Sequence, residues 1–297
     1  MVSQGKTCGK ILLADDGSEH ARAAAEMVSE LPLPPECRVT VLRVFGSQQA
    51  GELTLLEEAV AQTSALLEGK GFQVNSELLL GFPAQKITEY AEDNKLDLIV
   101  IGAKGLRATF GILLGGIAQQ VVEYSSCPVL VVRKPHTSIK RALFVTDGSP
   151  NSQRAMEYLG HFPFPEGLDM RVMHVLPPPP FPIISVASSG DRILYEPLAV
   201  TEAIAKERAL EEEAGKALLD SSVKTLAGYG IKATAILKRG DAATEIIDYI
   251  KDHQIDLTIS GSRGLSRIRS WLMGSVSRKL VHYSTCSMLI VRAPQEG

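Results

Sequence analysis

Cysteine is scarce in this chain of 297 residues: the four present, Cys8, Cys37, Cys127 and Cys286, stand far apart and form no CxxC pair. That spacing fits packing residues in a reducing compartment better than a disulfide framework. Long apolar runs are missing too. None approaches the roughly 20 residues that cross a bilayer, and the opening MVSQGKTCGK lacks the apolar stretch of a secretory leader. A cytoplasmic protein with no membrane span is the expectation. Basic charge is not in surplus, since the formal net charge is -3, and this gives no global attraction to nucleic acid. Aromatic residues make up only 5% of the chain, and Trp271 alone stands beside Arg263, Arg267 and Arg269. Without interleaved aromatics to stack on bases, that basic loop does not read as a nucleic-acid site. The six histidines include no two at metal-ligand spacing, so no protein metal site is expected.

What is present is a repeat. GKILLADDGSEHARAAAEMV and KRALFVTDGSPNSQRAMEYL each read as an apolar strand, an Asp-Gly-Ser turn and a helix. LDLIVIGAKG answers IDLTISGSRG, and YSSCPVLVVR answers YSTCSMLIVR, which makes the chain a tandem duplication. A length of 297 residues, 45% hydrophobic and 22% charged, suits two such globular units. We place them at residues 1–135 and 139–297, with KPHTSIK at 134–140 as the linker. The Asp-Gly-Ser turns are 131 residues apart but the glycine loops 159 apart, so the second copy holds 28 extra residues between them. These fall in the Pro-rich LPPPPFPIISVASSGDRILYEP and a lengthened helix pattern. The insert follows the second strand of its copy, where it could act as a lid or docking segment or pack on its own domain.

Within each copy, strand-length apolar runs alternate with amphipathic stretches of helical period, the pattern of a parallel sheet flanked by helices. Strands are expected near Lys10 to Ala14, Arg38 to Val44, Gln73 to Leu80, Leu98 to Ile101 and Val129 to Val132, and in the same order in the second copy. The predicted fold class is therefore α/β, with two tandem open five-stranded parallel sheets. Ligands of such sheets bind beyond the carboxyl ends of the strands, where strand order reverses. The Asp-Gly-Ser turns and the glycine loops both follow strands, so both can meet there. The closing strands, PVLVVR and MLIVR, should lie at sheet edges, where unpaired backbone invites the two copies to pair into an intramolecular pseudo-dimer able to form a homodimer.

The glycine loop of the second copy carries the chemistry. Gly261 and Gly264 allow close backbone approach to a ligand, and Gly274-Ser275-Val276-Ser277 opens a helix. A helix start presents free N–H groups and partial positive charge, which attract phosphate, and the two serines add hydroxyls. GKT at residues 5–7 is no P-loop, because the first glycine is missing and the motif precedes its strand. Asp147 could be a general base, a turn former or a carboxylate that holds a sugar; the last is preferred.

G-x-x-G, nine residues, then G-S, preceded by V-x-D-G-S, resembles the universal stress protein family over nearly the whole chain, twice. The resemblance implies a Rossmann-like fold of the adenine nucleotide alpha hydrolase kind, and ATP held in the second copy with Mg2+ or Mn2+ on its phosphates. Position by position it implies Asp147 at the ribose and Val175 at the adenine. Ser260, Gly261, Arg263, Gly264, Gly274, Ser275, Val276 and Ser277 form the ribose and phosphate loop. The first copy matches at Asp16, Val44, Gly102, Gly105 and Gly115, but Gly116 and Ala118 replace the hydroxyl residues. At about 0.5 to 1.5 kcal/mol per hydroxyl, the loss weakens that copy by roughly 5- to 150-fold. The implied function is an ATP-binding stress-response regulator. Two alternatives stay open: a slow ATPase or autophosphorylating protein, and an apolar-ligand or scaffold protein that uses the degenerate first copy and the insert.

Overall fold

The computed structural model describes residues 9–105, 113–135, 138–178, 198–264 and 273–292, excepting the side chains of Ala50 and residues 198–203. Cys8, the GKT at 5–7, residues 179–197 of the Pro-rich insert, and Arg267, Arg269 and Trp271 lie outside the described residues.

The first half runs β1 (Lys10–Ala14), α1 (Glu19–Glu30), β2 (Arg38–Phe45), α2 (Leu53–Glu68), β3 (Gln73–Leu80), α3 (Pro83–Asp93), β4 (Leu98–Gly102), α4 (Gly116–Tyr124) and β5 (Val129–Val132). The second repeats it as β6 (Arg141–Val145), α5 (Pro150–His161), β7 (Asp169–Leu176), α6 (Leu198–Gly228), β8 (Ala233–Arg239), α7 (Ala242–Asp252), β9 (Leu257–Gly261), α8 (Ser275–Tyr283) and β10 (Ser287–Val291). Helix α6 has 31 residues against 16 in α2, so part of the extra length of the second copy is helix.

The strands are continuously apolar because both faces of the sheet are covered. In β1, Ile11 and Leu13 enter one core cluster, while Leu12 and Ala14 enter the other on the opposite face. The turn after β1 follows from its residues. Gly17 takes φ +76°, a left-handed conformation that side chains resist, and Ser18 caps α1 by accepting the Ala21 N–H at 3.1 Å. Gly148 at φ +75° and Ser149, accepting the Ser152 N–H at 3.2 Å, do the same for α5.

Strand order across the molecule is β3-β2-β1-β4-β5-β10-β9-β6-β7-β8. Every neighbouring pair is parallel except β5 and β10, so the two expected five-stranded sheets join edge to edge as one sheet of ten. The antiparallel joint centres on Leu130 paired with Leu289, flanked by Val131 with Met288 and Val129 with Ile290. Leu130 and Leu289 are 159 residues apart, the offset of the repeat itself, so a local twofold axis passes through this pair. Strand order reverses between β1 and β4 and between β6 and β9, which puts one ligand crevice in each half.

Arg133 fastens the joint. Its side chain donates to the carbonyls of Cys286 (3.1 Å), Val281 (2.6 Å) and Leu113, and its main-chain N–H donates to Ser287 Oγ at 3.1 Å. Burial pulls its guanidinium pKa below the ordinary arginine value. Val281 lies in the last turn of α8, where carbonyls lack helical partners and carry the negative end of the helix dipole. The symmetry-related Arg292 reaches the other way, to the Ser125 carbonyl at 2.8 Å. Arg133→Met should lower unfolding stability in denaturant by about 2 to 4 kcal/mol, because carbonyls would be left buried without donors. An unchanged midpoint would mean that water or another donor takes over.

Cys37, Cys127 and Cys286 are buried. Burial pushes the thiols of Cys37 and Cys286 up to about 11, so both stay protonated and act as packing groups.

Candidate functional site

In the second half, a cavity of about 260 Å³ opens where β6 and β9 end. All ten residues assigned from the sequence line it: Asp147, Val175, Ser260, Gly261, Arg263, Gly264, Gly274, Ser275, Val276 and Ser277. His174, whose place in a strand pattern sets it near the site, lines it too, and Val145, Thr146, Ser152, Ala242 and Ile246, which the sequence did not single out, complete the wall.

The local geometry follows from small residues. Asp147 Oδ1 accepts the Ser149 N–H at 3.0 Å, which turns the carboxylate across the start of α5. Gly264 then passes so near that a Cβ there would sit 2.5 Å from Asp147 Oδ2. At Gly261 a Cβ would meet the Asn151 backbone at 3.0 Å, so β9 ends tight against α5. The loop closes through Gly274 N–H to Ser262 O and Ser262 N–H to Val291 O, both 2.9 Å.

Helix α8 begins at the mouth of this cavity with Gly274 as its cap residue and no side-chain hydrogen bond there. Helices α1, α5 and α7 are capped by Ser18, Ser149 and Asp241. A glycine cap leaves the first amides of α8 with no side-chain acceptor, at the positive end of the helix dipole. The two serines divide their work. Ser275 is exposed at the mouth, whereas buried Ser277 donates to Gly261 O at 2.8 Å and lies 3.1 Å from Ser260 Oγ. Ser277 therefore ties α8 to β9 and sets where the free amides point. His174 Nδ1 lies 2.9 Å from the Thr146 carbonyl, which makes Nδ1 the protonated ring nitrogen and holds the ring at the wall.

The first half repeats the frame with different furniture. Its cavity, about 420 Å³, is the larger of the two, and Asp16, Val44, Gly102, Gly105, Gly115 and Gly116 all line it. Asp16 keeps its counterpart's geometry: Oδ1 accepts the Ser18 N–H at 3.0 Å, and a Cβ on Gly105 would lie 2.5 Å from Oδ2. Helix α4 likewise starts on an uncapped glycine, Gly115. Ile101, Gly116 and Ala118 occupy the places of Ser260, Ser275 and Ser277. Thr146 and His174 give way to a buried ion pair, Asp15 and Arg43, with 3.4 Å between Nη2 and Oδ2. Asp15 also accepts the Gly17 N–H at 2.8 Å and the Thr63 hydroxyl at 3.0 Å, and Arg43 Nε donates to the Asp15 carbonyl at 3.1 Å. The doubled acid of ADDGS was the sequence sign of this pair, and it went unread.

A family model described as the universal stress protein family matches residues 8–133 and again 138–292. Universal stress protein YxiE of Bacillus subtilis is 30% identical over 152 residues, which is 51% of this chain and 98% of that protein. A universal stress protein of Methanocaldococcus jannaschii is 37% identical over 155 residues, 52% of this chain and 94% of that one. The crystal structure of a universal stress protein from Archaeoglobus fulgidus superposes with a TM-score of 0.65 at 19% identity, covering 98% of this chain and 99% of the other, a likeness of fold. Among the described residues no helix is long and apolar enough to cross a membrane. With its model matched once in each half and almost end to end, this chain belongs to the universal stress protein family, as a tandem member with two family domains in one polypeptide.

Proposed function

We propose that the chain is a cytoplasmic stress-response regulator that binds ATP in the second-half cavity, with nucleotide occupancy setting its conformation or its choice of partner. The observation that carries this reading is the uncapped start of α8, facing a cavity that has a carboxylate, Asp147, on its other side. Free amides, the Ser275 hydroxyl and Arg263 are donors and suit a polyanion. Asp147 is an acceptor and suits the hydroxyls of a sugar, while Val145, Val175 and Ile246 form an apolar wall for a flat base. The donor set thus fits a nucleoside polyphosphate. ATP would bring the negative charge and, on its phosphates, a divalent cation such as Mg2+ or Mn2+.

Within this reading Ser277 positions α8 and Ser275 contacts the phosphates, so Ser275→Ala weakens binding directly and Ser277→Ala weakens it by loosening the helix. The first half lacks these hydroxyls and would hold ATP weakly. Calorimetric titration with ATP should give one tight site per chain, and two sites of equal affinity would contradict the reading. Single-turnover incubation, followed for ADP, separates a regulator from a slow ATPase.

A further inference from the structure

We propose that the first-half cavity is a binding site for a different class of ligand, an uncharged and largely apolar small molecule. Its volume of about 420 Å³ falls in the ~300 to 1,000 Å³ range of small-molecule pockets. Its apolar lining includes Leu42, Val44, Ile87, Ile101 and Ala118. The polar side chains on its wall are Asp15, Asp16, Lys104 and Gln120. Asp15 is neutralised by Arg43 and saturated by Gly17 and Thr63, which leaves no uncompensated charge at the back of the cavity. Asp16, which accepts the Ser18 N–H at 3.0 Å, and Lys104 also line the wall, with opposite charges.

The rim argues independently for the same class. Phe82, next to the wall residue Pro83, is 79% exposed; Leu80, at the end of β3, is 57% exposed; and Ile117 is 39% exposed while also lining the cavity. The second half has Asp241 and Arg239 in the places of Phe82 and Leu80. Asp241 caps α7 by accepting the Thr244 N–H at 3.0 Å and lies 3.7 Å from Lys279, and Arg239 pairs with Glu211 at 2.6 Å. Phe82 occupies the corresponding cap position of α3 and makes no side-chain hydrogen bond there. A phenyl ring at a helix cap gives up a stabilising hydrogen bond and leaves an aromatic surface in water. Local choices that cost stability in this way concentrate at functional positions. Beside the wall residues Pro83 and Ile117 the first half thus exposes apolar side chains, where the second half, beside the wall residue Ala242, carries charged ones.

The test uses the full chain and N-phenyl-1-naphthylamine, an uncharged fluorophore with one N–H that brightens when it leaves water. One molecule per chain should bind, and a saturating excess of ATP should leave that binding unchanged. The double variant Leu80→Arg, Phe82→Asp, which carries the second half's rim residues at exposed sites, should weaken binding about tenfold. Thermal stability should hold or rise, because the aspartate restores the cap. Ile101→Ser with Ala118→Ser should weaken it from inside the cavity. No binding to the wild-type chain, displacement of the dye by ATP mole for mole, or equal affinity in the rim and cavity variants would each overturn the proposal. Because ATP affinity is measured separately on the same samples, failure here and failure of the nucleotide reading are told apart.

Discussion

Gly264→Ala should abolish ATP binding and leave the fold in place. The added methyl would sit 2.5 Å from Asp147 Oδ2, closer than any real contact of a Cβ, so either the carboxylate or the loop must move. Gly264 does not hold the left-handed backbone conformation that alanine resists, so the damage is confined to the meeting of loop and carboxylate. Nothing cheap can give way. Asp147 is held by the Ser149 N–H at 3.0 Å, and the loop is closed by Gly274 N–H on Ser262 O. Losing the sugar contact and misplacing the phosphate amides together should cost at least about 3 kcal/mol, or roughly 100-fold in affinity. Calorimetry on Gly264→Ala measures the loss, and thermal unfolding checks that the chain still folds. Gly105→Ala is the matched control, since it produces the same 2.5 Å encounter with Asp16 Oδ2 in the first half. Its ATP titration should match the wild type. Undiminished ATP binding in Gly264→Ala would remove Asp147 and its loop from the nucleotide reading.

Much of this architecture can be read without coordinates because each local choice agrees with the global one. KILLA buries both faces, which demands a covered parallel strand, and the strand is Lys10–Ala14. Asp-Gly-Ser supplies the left-handed residue and the helix cap in adjacent letters, and both copies use them so. The repeat offset even anticipates the joint, because equivalent edge strands related by duplication can pair about a twofold axis, as Leu130 and Leu289 do. What stayed hidden depends on direction and depth, which residue types do not encode. Ser275 and Ser277 look alike in the sequence, yet two residues of helix turn one to the mouth and the other onto the Gly261 carbonyl. Asp15 reads as a loop acid until Arg43, 28 residues away, is seen against it. The larger first-half cavity was equally out of reach, since its walls come from three strands, the glycine loop and the starts of two helices.

The sharpest use of the duplication is to move the site from one half to the other. The triple variant Ile101→Ser, Gly116→Ser, Ala118→Ser places the second half's hydroxyls on the first half's frame and should raise the ATP stoichiometry from one to two per chain. The frame is ready for them. Gly115 leaves the first amides of α4 uncapped, Asp16 holds the same hydrogen bond as Asp147, and Lys104 stands where Arg263 stands. The substitution at Ala118 should act through the helix, as Ser277 does, by giving α4 a tie to the Gly102 carbonyl. The one at Gly116 supplies the direct donor. The hydroxyls at 116 and 118, at about 0.5 to 1.5 kcal/mol each, predict a gain of roughly 5- to 150-fold at the new site, with the one at 101 as partner to that at 118, as Ser260 is to Ser277. The reverse set, Ser260→Ile, Ser275→Gly, Ser277→Ala, should cost the native site the same factor, with a modest fall in thermal stability from the lost tie between Ser277 and the Gly261 carbonyl. If the graft adds no site although the reverse set removes one, the deciding difference lies deeper in the crevice. The buried Asp15 and Arg43 pair would then exclude the polyphosphate, and exchanging it for the Thr and His of the second half becomes the necessary fourth and fifth change.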